Sequence, residues 1–451
     1  MRERVDRALR GRCPIRDGAA TFLLLVAAAV ALGQQPPAPS PQPTTPGQPP
    51  VAPAPEEPGP ARAPEEPLPG RGPFAVAPPA FLGPDFFNPS PQPGWLTLTP
   101  SVTISEEYND NVFLLGGDRT SDLITSVTPG VTLGIQRPEH RLTAGYNFTA
   151  EAFARERELN SPAKRHQLFT DASYRFGPRV TLTIAERFIF DRESNVVTAG
   201  GLSAGRQETW RNSLTPAVQW QATPLTSLRL SALYTIQRFQ QVSQSDVRNS
   251  DTYDLSFGVD HQITRRLTGT ANLEFAYLKA GGEPPASTPT ARLGFGFRIT
   301  PTLQGSLSGG PTAVVRRGNT NVTPAVTGGL QQRFRFGSLG IGYDRSVVAD
   351  TIGVTDHQTV FASLQVTTRQ QGLRLEFTPR YTIADEQVSN GRGRRLRAVA
   401  PNLRANCRIA RSVSLIGSYT FFHQGSDLPG DHVDQNRVFI GIQLAHPISF
   451  H

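Results

Sequence analysis

Between Asp122 and Arg155 apolar and polar residues alternate with a period of two. Leu123, Thr125, Val127, Pro129, Val131, Leu133 and Ile135 share one parity, with mainly Ser, Thr, Gly and Gln between them. After the polar tetrapeptide Arg137–His140, Leu142, Ala144, Tyr146, Phe148, Ala150 and Ala152 do the same. Successive side chains of a strand point to opposite faces, so each stretch predicts a strand that is apolar on one side and wet on the other. Such strands exceed the five or six residues of an average soluble strand. A tilted strand crossing a bilayer needs roughly 9 to 11 residues. Only a closed barrel satisfies every backbone group of such strands within lipid.

The same period recurs to the end of the chain and predicts strands over 95–104, 122–136, 141–155, 166–176, 180–190, 209–222, 227–239, 251–262 and 266–278. It continues over 290–300, 302–315, 321–334, 337–348, 357–368, 372–384, 396–409, 412–423 and 435–450. Eighteen strands result. The links between them alternate: short after even strands (Gly177–Arg179, Ala410–Arg411), longer after odd ones (Ser105–Ser121, Asp191–Glu208). That parity belongs to an up-and-down antiparallel transmembrane barrel with tight periplasmic turns, long external loops and both termini in the periplasm. Ser105–Ser121 and Asp191–Glu208, the longest links, are the candidates to fold inward and narrow the pore.

Two features strain this pattern. Proline stands inside strands at Thr128-Pro129, Thr215-Pro216, Thr323-Pro324, Thr378-Pro379 and Ala400-Pro401, and because it donates no ladder hydrogen bond a local bulge is expected at each. Glu186 shares the apolar parity of Ile184 and Phe188, and a bulge that turns it inward is expected to keep the carboxylate out of lipid.

Ahead of the barrel, Arg2 to Arg16 precede an apolar run from Ala19 to Leu32 with small residues at Ala31 and Gly33, the pattern of a secretory signal peptide over 1–33. Residues 34–94 hold more than half of the chain's 40 prolines, a composition that reads as a disordered, polyproline-like periplasmic spacer. Phe74, Phe81, Leu82, Phe86 and Phe87 interrupt it. They are either residual apolar character in a linker or a short segment that docks on a periplasmic partner or in the barrel mouth.

Composition changes the picture little. A hydrophobic share of 37% and a mean hydropathy of −0.31 fit a barrel that meets lipid on one face of each strand. The formal charge of +8 would suit nucleic acid, but secretion and the strand pattern argue against that partner.

In the final strand Val438, Ile440, Ile442, Leu444, His446, Ile448 and Phe450 share one parity, which resembles the C-terminal signal read by the barrel assembly machinery, with Phe450 as its aromatic. The stretch Glu106-Glu107-Tyr108-Asn109-Asp110-Asn111-Val112-Phe113, followed by Val127-Thr128-Pro129-Gly130-Val131, resembles the β-barrel porin type 2 family. That resemblance implies an outer-membrane barrel of a Gram-negative bacterium, associated with exopolysaccharide loci. It would serve as the exit pore, with periplasmic or inner-membrane polysaccharide export proteins as partners.

The wet parity places Arg175, Arg187, Arg211, Arg229, Arg292, Arg298, Arg374, Arg380, Arg404, Arg408 and Arg437 in the lumen. The carboxylates there are fewer: Glu151, Asp171, Asp254, Asp260, Glu274, Asp344 and Glu376. Guanidinium forks bind carboxylate and phosphate in pairs of hydrogen bonds, so the lumen is expected either to favour anionic solutes or to spend its arginines on its own acids. Catalysis finds little support. His423, Asp427, Asp431, His432 and Asp434 suggest a metal or acid–base site but read as a charged loop. Glu106 to Asn111 offer oxygen ligands without the spacing of a calcium loop and read as a polar turn. The pattern asks for no cofactor. A non-enzymatic channel is expected; the competing readings are a structural or surface-interaction barrel with a blocked lumen and an enzyme built on rim loops.

Overall fold

A computed structural model of the protein describes residues 94–197, 203–240, 248–350, 353–368, 373–386, 394–427 and 432–450. All of these lie in the compact unit Pro69–His451, and the other unit, Met1–Leu68, lies outside the described residues. The expected signal peptide and the spacer up to Pro93 also lie outside them.

Among the described residues the sheet is a closed antiparallel barrel of eighteen strands. They are β1 (Leu96–Asn109), β2 (Asp122–Gln136), β3 (His140–Phe153), β4 (Ser161–Phe176), β5 (Val180–Val197), β6 (Ser203–Thr223), β7 (Thr226–Gln240), β8 (Ser250–Gln262) and β9 (Leu267–Ala280). Then follow β10 (Ala286–Arg298), β11 (Leu303–Arg316), β12 (Asn319–Phe334), β13 (Gly337–Asp350) and β14 (Gly353–Thr367). The last four are β15 (Leu373–Thr378 and Arg380–Glu386), β16 (Arg395–Val399 and Asn402–Ala410), β17 (Val413–Ser426) and β18 (His432–Ala445 and Ile448–Phe450). Each strand pairs with its sequence neighbours, and β18 closes on β1, with Asn109 opposite Arg437 and Leu96 opposite Phe450.

The expected parity sets the two faces. Ile104, Leu123, Val127, Val131, Leu168, Leu255, Leu293 and Ile440 point outward and are exposed, Leu293 to 72%. Inward stand hydroxyls and amides that bond across strands: Thr290 to Thr312 at 2.8 Å, Ser231 to Ser256 at 2.6 Å and Gln304 to Gln331 at 2.6 Å. An exterior this apolar has no place in water and is built to meet a bilayer. Aromatic residues bracket it. Trp95, Tyr174, Phe176, Trp220, Phe334, Phe336 and Phe450 lie outward near the short turns, and Tyr108, Tyr146, Tyr253 and Tyr419 lie outward towards the other end. Such girdles sit where headgroups meet hydrocarbon.

No bulge forms at any of the five prolines. Pro129 stays opposite Val102 and Pro216 opposite Ile184. Pro311 faces Pro324, and the registers of β15 and β16 run on through Pro379 and Pro401. An extra residue would have moved every later side chain to the opposite face, and the apolar parity is the same on both sides of each proline. The ladder is therefore only interrupted, which is why β15 and β16 each divide in two. True register shifts occur towards strand ends, at Thr149/Glu151, Asp191/Ser194, Gln221/Thr223 and Arg408/Ala410.

Glu186 likewise stays outward. The β4 and β6 registers run unbroken past it, and Asn212 Nδ2 donates to its Oε1 at 3.4 Å on the outer face. A hydrogen-bonded carboxylate on the bilayer side still costs desolvation. Replacing Glu186 and Asn212 together by Leu is expected to raise the denaturant midpoint of the refolded barrel, by about 1 kcal/mol. An unchanged midpoint would show that the pair sits at headgroup depth.

The two ends differ. At one end the strands are joined by tight links such as Gly177–Arg179 and Pro224–Leu225; at the other many run on well past the apolar band. β6 is 21 residues long, about 70 Å at roughly 3.3 Å per residue. The long link expected over Asp191–Glu208 is mostly strand, and its remaining tip, 198–202, lies outside the described residues. The link between β11 and β12 tightens to Arg317-Gly318, both with positive φ (51° and 80°), the two-residue hairpin whose twist matches its strands.

Candidate functional site

The candidate site is the lumen, and its geometry is set at the long-loop end by two segments that leave the wall. The first is the link 110–121. Val112 packs on Ile124 and Phe153. Leu114 packs on Ala384, Leu396, Ala398 and Phe422. Ile124, Phe153, Ala384, Leu396, Ala398 and Phe422 all lie on the inward parity, so the link folds into the mouth, as its length suggests.

Its hold is polar. Asn111, fully buried, donates from Nδ2 to the Leu115 and Asp434 carbonyls, both at 2.8 Å, and accepts from Leu115 N at 3.0 Å. Gln435 Nε2 donates to Asn111 O at 2.8 Å and Asn109 Oδ1 at 3.1 Å. Asn436 donates from N and Nδ2 to the two Asp110 carboxylate oxygens at 2.6 and 2.7 Å. The tract Asn109-Asp110-Asn111 therefore staples the first loop to β18 across the seam where the barrel closes.

The expectation of a polar turn over Glu106 to Asn111 needs correction. Residues 106–109 end β1. Glu106 points outward and accepts from Thr125 Oγ1 at 2.8 Å, while Glu107 points inward to Arg437. The strand continues because its cross-seam partners in β18 complete the ladder, which a reading of the first strand alone does not show.

The second infolded segment was not visible in the sequence pattern. β12 and β13 pair only from Phe334/Gly337 to Val326/Arg345, whereas β13 and β14 stay paired out to Asp350/Gly353. The part of the hairpin that carries Val347 and Val354 leans across the mouth. Val347 and Val354 pack on Leu278, Ala280, Ala286 and Val314 of β9, β10 and β11, strands that are not its neighbours in the sheet.

Below these segments lies a charged girdle. Arg437 holds Glu107 with two hydrogen bonds, 2.9 and 2.6 Å. Arg165 Nε meets Asp191 Oδ2 at 2.5 Å, with Asp191 fully buried. Lys164, turned inward where the β3–β4 register shifts at Thr149/Glu151, pairs with Glu151 and stands 5.4 Å over the Phe153 ring. Further pairs line the wall. Arg187 Nη2 donates to both Asp171 carboxylate oxygens at 2.8 Å, and its guanidinium carbon lies 5.6 Å over Phe169. Arg229 meets Asp260 at 3.2 Å and Arg292 meets Glu274 at 3.6 Å. Phe169 lies against Gly145, where an added Cβ would strike the ring.

Of the expected lumen arginines, Arg187, Arg229, Arg292 and Arg437 are thus spent on acids. Arg211, Arg380 and Arg404 keep the inward parity among partly buried neighbours. Arg175, Arg298, Arg374 and Arg408, joined by Arg333, which the sequence reading omitted, keep the inward parity near the short turns and are exposed to the water of the lumen. Among the described residues Arg298 and Arg374 have no ion pair, and Arg408 reaches only the Ala410 and Arg411 carbonyls. Of the carboxylates near this belt, Asp171 and Asp260 are already paired, and Glu376 stands two residues from Arg374 on the same inward parity, opposite Arg404.

His423 pairs with Asp434, which also meets Arg119. Asp427 accepts from Arg395 N at 3.2 Å, His432 is exposed, and Asp431 lies outside the described residues. Among the described residues no group of three or more His, Cys, Asp or Glu is arranged to hold a metal ion.

Solved structures with a similar fold include OpdO of Pseudomonas aeruginosa, 13% identical, with 78% of this chain and 97% of that one covered and a TM-score of 0.45. The BenF-like porin of Pseudomonas fluorescens Pf-5 is 10% identical, with 78% and 99% covered and a TM-score of 0.44. The siderophore receptor PirA of Pseudomonas aeruginosa is 9% identical, with 77% and 80% covered and a TM-score of 0.42. No curated protein sequence matches the chain. Residues 213–310, from within β6 into β11, match the family described as Putative beta-barrel porin 2, the same family that the Glu106–Phe113 and Val127–Val131 motifs resemble, and the protein has a porin-like outer-membrane channel fold.

Proposed function

We propose that the protein is a water-filled, non-enzymatic outer-membrane channel for small anionic solutes, with short turns and both termini on the periplasmic side and Phe450 serving barrel assembly. The observation that carries this reading is the uneven charge along the lumen. Near the long-loop end each cation of the girdle is matched by an acid, so that region supplies shape more than charge. At the short-turn end Arg298, Arg374 and Arg408 face water and form no ion pair among the described residues, and two of the nearby acids, Asp171 and Asp260, are bound to other arginines. A ring of unneutralised guanidinium groups raises the local concentration of anions and repels cations.

The infolds at residues 110–121 and around Val347 and Val354 of β13 and β14 narrow the opposite mouth, which favours small solutes over the polymer that the family resemblance implies. The same infolds favour, as a second reading, a barrel whose lumen is closed. Liposomes carrying the refolded protein test both readings with a small monoanion and a cation of matched size. Faster swelling in the anion is expected. Faster swelling in the cation would overturn the anion preference, and no swelling in either would favour the closed barrel.

A further inference from the structure

We propose that a groove on the outer wall at the short-turn end binds one anionic phospholipid, with its phosphate against Arg137 and His140. The groove has a volume of about 450 Å³. Its floor is a single row across four strands: Ile135 opposite Leu142, Leu142 opposite Ala172, and Ala172 opposite Ile184. Ala172 is the small member of that row, and the wall dips there between Leu142 and Ile184. Leu182 and Tyr174, opposite each other, continue the floor towards the turn. A trough of this kind on the bilayer side takes an acyl chain and nothing water-soluble.

The rim is of different chemistry. Arg137 stacks over Trp95, its guanidinium carbon 4.7 Å from the ring centroid, while its backbone N–H donates to His140 O at 2.9 Å. The His140 ring stacks on Tyr174 at 6.2 Å. Both polar side chains are thereby held by aromatic neighbours at the edge of the apolar trough, and among the described residues neither has a carboxylate partner. The one acid of the turn, Glu139, is exposed. A planar guanidinium held above a membrane-facing groove presents paired donors to a phosphate. Tight turns of outer-membrane barrels face the periplasm, where the leaflet is phospholipid, so the occupant is a phospholipid whose headgroup carries net negative charge.

The test uses the full refolded chain in zwitterionic micelles, with Trp210 and Trp220 replaced by Phe so that Trp95 is the reporter. Brominated phosphatidylglycerol is expected to quench Trp95 at lower mole fraction than brominated phosphatidylcholine. Arg137→Gln is expected to weaken the phosphatidylglycerol response about fivefold, the scale of one arginine at an anionic surface. The double variant Arg137→Gln/His140→Gln should abolish the preference while the barrel keeps its heat-modifiable migration. Equal quenching by the two lipids would overturn the proposal, as would a preference that survives the double variant. Competition by inorganic phosphate alone at equal concentration would also overturn it, because the site would then bind a free anion and not a lipid.

Discussion

Asn111→Ala is expected to give a barrel that still closes but conducts more current. The side chain is fully buried, and its amide satisfies the Leu115 N–H together with the Leu115 and Asp434 carbonyls. Removing it takes the partner from those partly buried groups, at up to about 1–3 kcal/mol for any that water does not reach. The loop has a further reason to leave. Leu114 holds φ at 55°, a conformation that costs a bulky L-residue about 1–3 kcal/mol. Its burial against Leu396 and Phe422 offsets that cost only while the staple keeps the loop inward. Single-channel recordings check the outcome: larger or fluctuating openings are expected, with heat-modifiable migration unchanged. Conductance equal to the parent's would mean that the loop does not set the aperture.

The second large effect is electrostatic. Changing Arg298, Arg374 and Arg408 together to Glu is expected to turn anion selectivity into cation selectivity. Each replacement moves the local charge by two units, in a ring whose members face water, and over distances that salt screens only beyond about 8–10 Å. Folding should survive, because Arg298 and Arg374 have no ion pair among the described residues. Arg437→Ala makes the contrast. It strips Glu107 of a bidentate partner at the seam, and an uncompensated charge in a partly buried pair costs up to about 3–5 kcal/mol. That variant is expected to lose thermal stability while selectivity changes little. A triple variant that stays anion-selective would move the selectivity away from the belt.

The period of two made most of this architecture legible in the sequence. Because a single slip inverts every later side chain, the parity of Val127, Val131 and Ile135 fixes the faces of β2 without knowledge of any neighbour. Apolar residues keep their phase on both sides of Pro129 and of Pro379, which by itself forbids a bulge there. Strand ends above the bilayer were harder to see. There both faces meet water or protein, alternation fades, and β5 and β6 read as a loop over Asp191–Glu208. The inward hairpin of β13 and β14 was illegible for a different reason: Val347 and Val354 obey the wall's parity and find their partners only where β13 parts from β12. Ion pairing was half legible. Parity put Arg187 and Asp171 on one face, but which arginines would be spent on acids depended on register between strands.

The most direct measurement is the reversal potential of the refolded full chain in a planar bilayer under a potassium chloride gradient. A conducting pore is expected, with a reversal potential towards the chloride equilibrium potential. A value towards the potassium potential, or a bilayer that never conducts, would contradict it.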